Sequence, residues 1–117
     1  MQKLPKDWDE LTCINYLQRK IIISSIIYYE MDNNMMSDRD YDLMSKQCCE
    51  MMENCSEVEN SQYYYAFYDF DGTTGFHLKD RLNEKDKKYL YHLANLFNDN
   101  PPVKKQEKKV KKKGKLF

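Results

Sequence analysis

None of the four cysteines, Cys13, Cys48, Cys49 and Cys55, is paired at C-x-x-C spacing, and the two histidines, His77 and His92, stand alone. The usual zinc-ligand spacings are therefore missing, and no metal site is expected. The adjacent thiols at 48 and 49 are poorly placed to bridge, and no signal-peptide pattern precedes them. A reducing cytosol is the expected setting. Long hydrophobic runs are missing too. The apolar stretch from Ile21 to Tyr29 is broken by Ser24 and Ser25 and falls well short of the roughly 20 residues that span a bilayer, so no membrane span is expected. Net charge is absent as a total but not as a distribution. The 19 basic and 19 acidic residues cancel, yet residues 101–117 hold eight lysines against Glu107, a surplus of +7 that leaves −7 on residues 1–100. That sign disfavours nucleic-acid binding by the body, while the tail has the means for weak, salt-sensitive contacts with phosphates.

What is present is a chain of 117 residues, enough for one small domain. The expected organisation is a folded unit over residues 1–100 and a lysine-rich disordered tail over 101–117. Pro5, Asp7 and Glu10 form a helix-start pattern, followed by apolar residues at Leu11, Ile14, Leu17, Ile21 and Tyr28, which predicts a helix over residues 8–31. The isoleucine run locally favours a strand, but the start pattern and the 3–4 spacing before it favour helix. Residues 32–36 lack periodicity and read as a connector. Ser37 with Asp40 marks a second start, and Tyr41, Met44, Cys48, Met51 and Cys55 share one face of a helix reaching about residue 55. Methionine and cysteine at those positions read as core filler.

From Gln62 to Phe70 the aromatic residues Tyr63, Tyr64, Tyr65, Phe67, Tyr68 and Phe70 read as a strand. Residues 71–75 then read as a turn leading to Phe76-His77-Leu78, so a β-hairpin is expected. Asn83 and Asp86 start a third helix carrying Tyr89, Leu90, Leu93, Ala94, Leu96 and Phe97, which stops before Pro101-Pro102. The expected class is α+β: a two-helix elbow, a β-hairpin, a third helix and a disordered basic tail.

The stretch that carries chemistry is Tyr28-Tyr29-Glu30-Met31-Asp32, a short connector, and Asp38-Arg39-Asp40-Tyr41-Asp42-Leu43. It puts a tyrosine pair at the end of one helix and two carboxylates with a tyrosine on the first turn of the next. Asp38 lies three residues from Tyr41 and four from Asp42, so all three can share a side. Such a group suits a flat ring bearing positive charge. Tyrosines stack on its faces, and carboxylates balance the charge and accept from amide or hydroxyl groups.

This pattern resembles the N-terminal cap domain of NAD-dependent bacterial DNA ligases, in which a leucine-rich helix ends in Tyr-Tyr or Tyr-His, then x-x-Asp, a connector, and Asp-x-x-Tyr-Asp-x-Leu. Leu17, Tyr28, Tyr29, Asp32, Asp38, Tyr41, Asp42 and Leu43 fall into it, although Ile26 and Asn34 stand where that family often has an aromatic residue or histidine and a proline. The resemblance implies that Tyr28 and Tyr41 stack on the nicotinamide, with Tyr29, Asp38 and Asp42 on the rest of the mononucleotide. The implied ligand is NAD or nicotinamide mononucleotide. Stand-alone ligase-related small proteins, often of phages and mobile elements, are similar.

Catalytic parts do not accompany the pattern. The lysine nucleophile of the ligases sits in Lys-x-Asp-Gly, and Asp69-Phe70-Asp71-Gly72 has a carboxylate in its place, which repels the phosphate it would attack. The expectation is a non-catalytic NAD or nicotinamide-mononucleotide binding module, acting alone or with a separate polypeptide. The alternative is an interaction protein that docks on a DNA ligase or another NAD-using enzyme and modulates it. An independent NAD-cleaving enzyme is disfavoured, because Asp38 and Asp42 on a first helical turn lack the enclosure that tunes a nucleophile.

Overall fold

The computed structural model describes residues 3–73 and 75–99, so the tail expected over 101–117 lies outside the described residues. Its elements are α1 (Glu10–Glu30), α2 (Asp38–Glu53), a 3-10 turn at Val58–Asn60, the single-turn helix α3 (Tyr64–Phe67), a second 3-10 turn at Leu78–Arg81, and α4 (Glu84–Asp99).

Helix α1 is the hub. Residues Ile21 to Ile27 are all buried, because α2, α4 and the second 3-10 turn pack on it from different sides. A helix enclosed in this way is apolar all round. Burying each isoleucine contributes about 1.5–3 kcal/mol, which outweighs the penalty of at most about 0.7 kcal/mol that a β-branched residue imposes on a helix. The cap is Asp9 rather than the expected Asp7: its carboxylate accepts the Thr12 N–H at 2.8 Å, and this bonding holds its pKa below the ordinary value. At the other end the Met31 and Asn33 N–H groups both donate to the Ile27 carbonyl. Between them Asp32 adopts φ 55°, a left-handed conformation that aspartate tolerates better than most residues. The aspartate of the x-x-Asp pattern thus has a backbone role, turning the chain out of α1.

Ser37 caps α2 as expected, its hydroxyl accepting the Asp40 N–H at 3.1 Å. Ser25 of α1 faces Tyr41, and Gln18 faces Met52, so the two helices run antiparallel from the elbow at 31–37. Tyr41, Met44, Cys48, Met52 and Cys55 are buried, with Met51 partly so. Asn83 starts α4 by accepting the Asp86 N–H at 2.7 Å. That helix buries Leu90 and Ala94 and runs toward the elbow, where Asn98 accepts from Asn33 at 2.7 Å.

The α+β expectation is corrected: the described residues are helical and contain no strand, so there is no β-hairpin. The backbone hydrogen bonds of residues 62–70 go elsewhere. The Gln62 N–H donates to Asn15 Oδ1 at 2.6 Å and the Tyr63 N–H to Gln18 Oε1 at 3.1 Å, both side chains of α1. Ala66 and Phe67 donate back to the Tyr63 carbonyl. The buried residues are Tyr63, Ala66 and Phe67 while Tyr65 and Tyr68 are exposed, a spacing of three to four instead of alternation. The returning segment Phe76-His77-Leu78 enters the second 3-10 turn, and a lone two-stranded hairpin would be marginal in water.

Among the described residues no helix is long and apolar enough to cross a membrane. The four cysteines are unbridged, and among the described residues no three His, Cys, Asp or Glu side chains gather as a metal-holding group.

Candidate functional site

The elbow divides the five motif residues between an outer and an inner layer. Tyr28 and Tyr29 are half-buried on the last turn of α1, ring centroids 4.9 Å apart and edge to face at 89°. Asp38 and Asp42 are exposed on the first turns of α2. Tyr28 and Asp38 are close: burial, and then the Asp38 charge, push the Tyr28 phenol well above its ordinary pKa. The phenol therefore stays protonated.

Tyr41 turns inward and is only 1 % exposed. Its hydroxyl lies 3.5 Å from Ser25 Oγ, which is long for an O–H···O bond. Burial raises its pKa, with Ser25 opposing. Above it lies Gly75, where an added Cβ would collide with the Tyr41 and Ser25 hydroxyl oxygens. The pattern's tyrosine is thus separated from the carboxylates on either side of it in sequence, because the face of α2 that carries Tyr41 also carries Met44 and Cys48 into the core.

Tyr29 is covered by residues that the sequence motif does not include. Phe76 meets its ring edge to face at 4.8 Å, and the Lys79 ammonium sits 4.3 Å from the Phe76 centroid and 5.4 Å from that of Tyr29. Lys79 is buried. Its shortest polar contact is to the Phe76 carbonyl at 3.0 Å, and Glu30 and Asp80 follow at 3.7 and 3.9 Å. No periodic signal announces this arrangement. It arises because the turn after Phe70 brings the chain back over α1.

The second candidate region is a shallow depression of about 210 Å³ bordered by Asp69, Asp71, His77 and Arg81. Its charged groups are already engaged. Arg81 forks onto Asp69 at 2.7 and 3.3 Å and also donates to the Ala66 carbonyl. Asp71 accepts the Thr73 N–H and hydroxyl at 3.1 and 2.6 Å. Asp69, at the position of the ligase lysine, is held below its ordinary pKa by Arg81 and stays anionic.

No match was found among protein-family models, curated proteins or solved structures, so the cap-domain resemblance rests on Tyr28, Tyr29, Asp32, Asp38, Tyr41 and Asp42 themselves.

Proposed function

We propose that the elbow is a non-catalytic binding surface for a nicotinamide nucleotide, either NAD or its mononucleotide half. The observation that supports this most is the half-buried Tyr28 on the last turn of α1 beside Asp38, with Asp38 and Asp42 both exposed on the first turns of α2. Tyr28 offers a ring face to the pyridinium, while the two carboxylates balance its charge and accept from the carboxamide or ribose hydroxyls. Tyr29 braces Tyr28 from the side, and Tyr41 fixes the first turn of α2 from beneath.

Asp42→Asn is expected to keep the shape and lose charge-assisted hydrogen bonding worth about 1.5–3 kcal/mol. Contact with half of NAD gives affinities around micromolar to millimolar, within reach of titration followed by NMR. Wild-type shifts confined to residues 28–42, weakened in Asp42→Asn and Asp38→Asn, are the expected result. A silent spectrum at millimolar mononucleotide sinks the reading.

Because Asp69 replaces the lysine nucleophile, the pure protein given NAD should gain no adenylate mass and seal no nicked duplex. A covalent nucleotide adduct in its mass spectrum would overturn this assignment.

A second reading, docking on a DNA ligase or another NAD-using enzyme, draws on the outer flank of α4. Tyr89, Leu96 and Phe97 are 50, 47 and 40 % exposed there, an apolar strip of the kind that partners cover. Calorimetry against a purified NAD-dependent ligase, with and without Leu96→Asp, distinguishes it from nucleotide binding at the elbow.

A further inference from the structure

Six large apolar side chains are exposed among the described residues: Tyr65, Tyr68, Phe76, Tyr89, Leu96 and Phe97. Three of them have partners in their own chain. Tyr65 donates to Asp86, Tyr68 lies 5.0 Å from the Arg81 guanidinium, and Phe76 meets the Tyr29 ring. The other three all lie on α4, where none makes a ring contact or a side-chain hydrogen bond among the described residues.

Tyr89, the partly buried Leu93 and Leu96 are spaced i, i+4 and i+7, so they follow one stripe beside the face that buries Leu90 and Ala94 against α1. Phe97 lies one turn beyond Leu93. Lys85, His92 and Asp99, spaced by seven, run along the outer edge of the stripe and are exposed. Glu84 and Asp86 fall about 100° to either side of Lys85 and off that edge. Lys85 and Asp99 have no ion pair among the described residues, so the edge has a positive end and a negative end about 21 Å apart. Asp99 also stands in the last turn of α4, where the helix dipole disfavours a carboxylate and no basic residue offsets it.

We propose that this stripe pairs with its counterpart on a second copy of the chain, as an antiparallel α4–α4 contact on a twofold axis near His92. The order of charges selects that arrangement. Antiparallel pairing sets Lys85 opposite Asp99 of the second copy, and Tyr89 against Leu96 of the second copy, each twice over. Parallel pairing sets Lys85 against Lys85 and Asp99 against Asp99, which repel. The lysine of each copy also supplies the cation that the end of the other copy's α4 lacks. Two short helices make an interface at the small end of the stable range, so the dimer is weak, with a Kd around 10–100 µM. The contact is independent of nucleotide binding at the elbow, and it fills the strip with a second copy in place of another enzyme.

The test is sedimentation equilibrium of the full chain in about 0.15 M salt, with wild type, Leu96→Asp, Lys85→Asp, Asp99→Lys and the double reversal Lys85→Asp/Asp99→Lys. All three positions are exposed, so the fold should survive each change. Expected are a concentration-dependent dimer in the wild type and a monomer in Leu96→Asp. Each single reversal should weaken association about three- to tenfold, and the double reversal should restore it. A wild type that stays monomeric up to about 1 mM overturns the proposal. If a purified NAD-dependent ligase then binds the wild type and not Leu96→Asp, the strip belongs to that enzyme. A dimer indifferent to Leu96→Asp, or a double reversal no tighter than the single ones, overturns the antiparallel contact as well.

Discussion

Tyr41→Ala is expected to lower folding stability by about 3–5 kcal/mol, the range for truncating a large buried aromatic side chain. Tyr41 is 1 % exposed, sits at the crossing of α1 and α2, and fills the space beneath Gly75. Tyr41→Phe keeps the ring and removes the hydroxyl, which lies a long 3.5 Å from Ser25 and also interacts with Ser45 and the Gly75 backbone, so that change should cost about 0.5–1.5 kcal/mol. Urea denaturation with an unchanged m-value would record both. The comparison also bears on ligand binding. Loss of nucleotide binding in Tyr41→Ala would follow from a damaged elbow whether or not the ring stacks on nicotinamide. Tyr41→Phe keeps the packing beneath the elbow, so a phenylalanine variant that folds should bind as the wild type does. A Tyr41→Ala protein as stable as the wild type would show instead that the side chain lies in the open.

The three long helices were legible because their signals are local and repeated. Ser37 and Asn83 act as caps in the structure as in the pattern, and Leu17, Ile21, Tyr41, Met44, Cys48 and Leu90 all turn inward at helical spacing. The start of α1 moved from Asp7 to Asp9 because two acidic residues compete for the same short segment, and only Asp9 is placed to accept from Thr12. The stretch at 62–70 was misread for a different reason. Its six aromatic residues favour a strand in isolation, but a strand needs a partner edge, and here the acceptors for its first amides are Asn15 and Gln18 on α1. That choice is tertiary and leaves no local mark.

The motif was legible as a sequence pattern, whereas its layout was not. Tyr28, Asp38 and Asp42 are accessible at the elbow, but i, i+3 and i, i+4 spacing alone did not reveal that the Tyr41 side of α2 faces Ser25. Glu30, Gly75, Phe76 and Lys79 carry no local signal of their contacts, because Phe76 sits in a sequence that favours a hairpin while its partners lie on α1. A buried lysine is rarely visible in sequence, since its partners here come from α1, from the preceding turn and from its own neighbour Asp80.

Gln18 decides whether the aromatic stretch stays helical, and its replacement should have the second large effect. The side chain is fully buried. Its Nε2 donates to Ser61 Oγ at 3.1 Å and its Oε1 accepts the Tyr63 N–H at 3.1 Å, fastening the 58–67 region to α1. Gln18→Leu preserves approximate volume, so the loss is polar. Leaving the Tyr63 N–H buried without an acceptor costs about 1–3 kcal/mol, and the bond to Ser61 adds about 1 kcal/mol, for about 2–4 kcal/mol together. Ser61 retains the Val58 carbonyl at 2.7 Å, which keeps the estimate from rising further. Gln18→Glu separates hydrogen bonding from packing through pH. A protonated glutamic acid can donate to Ser61 and accept from Tyr63, whereas an ionised one in this dry position can only accept and carries an uncompensated charge. Burial raises the folded-state pKa above the unfolded value, so the stability contributed by the neutral form is fully present below the unfolded pKa and is lost as pH rises through the folded one. Relative to wild type, Gln18→Glu should therefore be less destabilised near pH 4 than near pH 7, and hydrogen exchange should show the pH 7 loss first at amides 62–67. A deficit independent of pH would mean that the carboxyl turns out to solvent and that Gln18 is not the fastener.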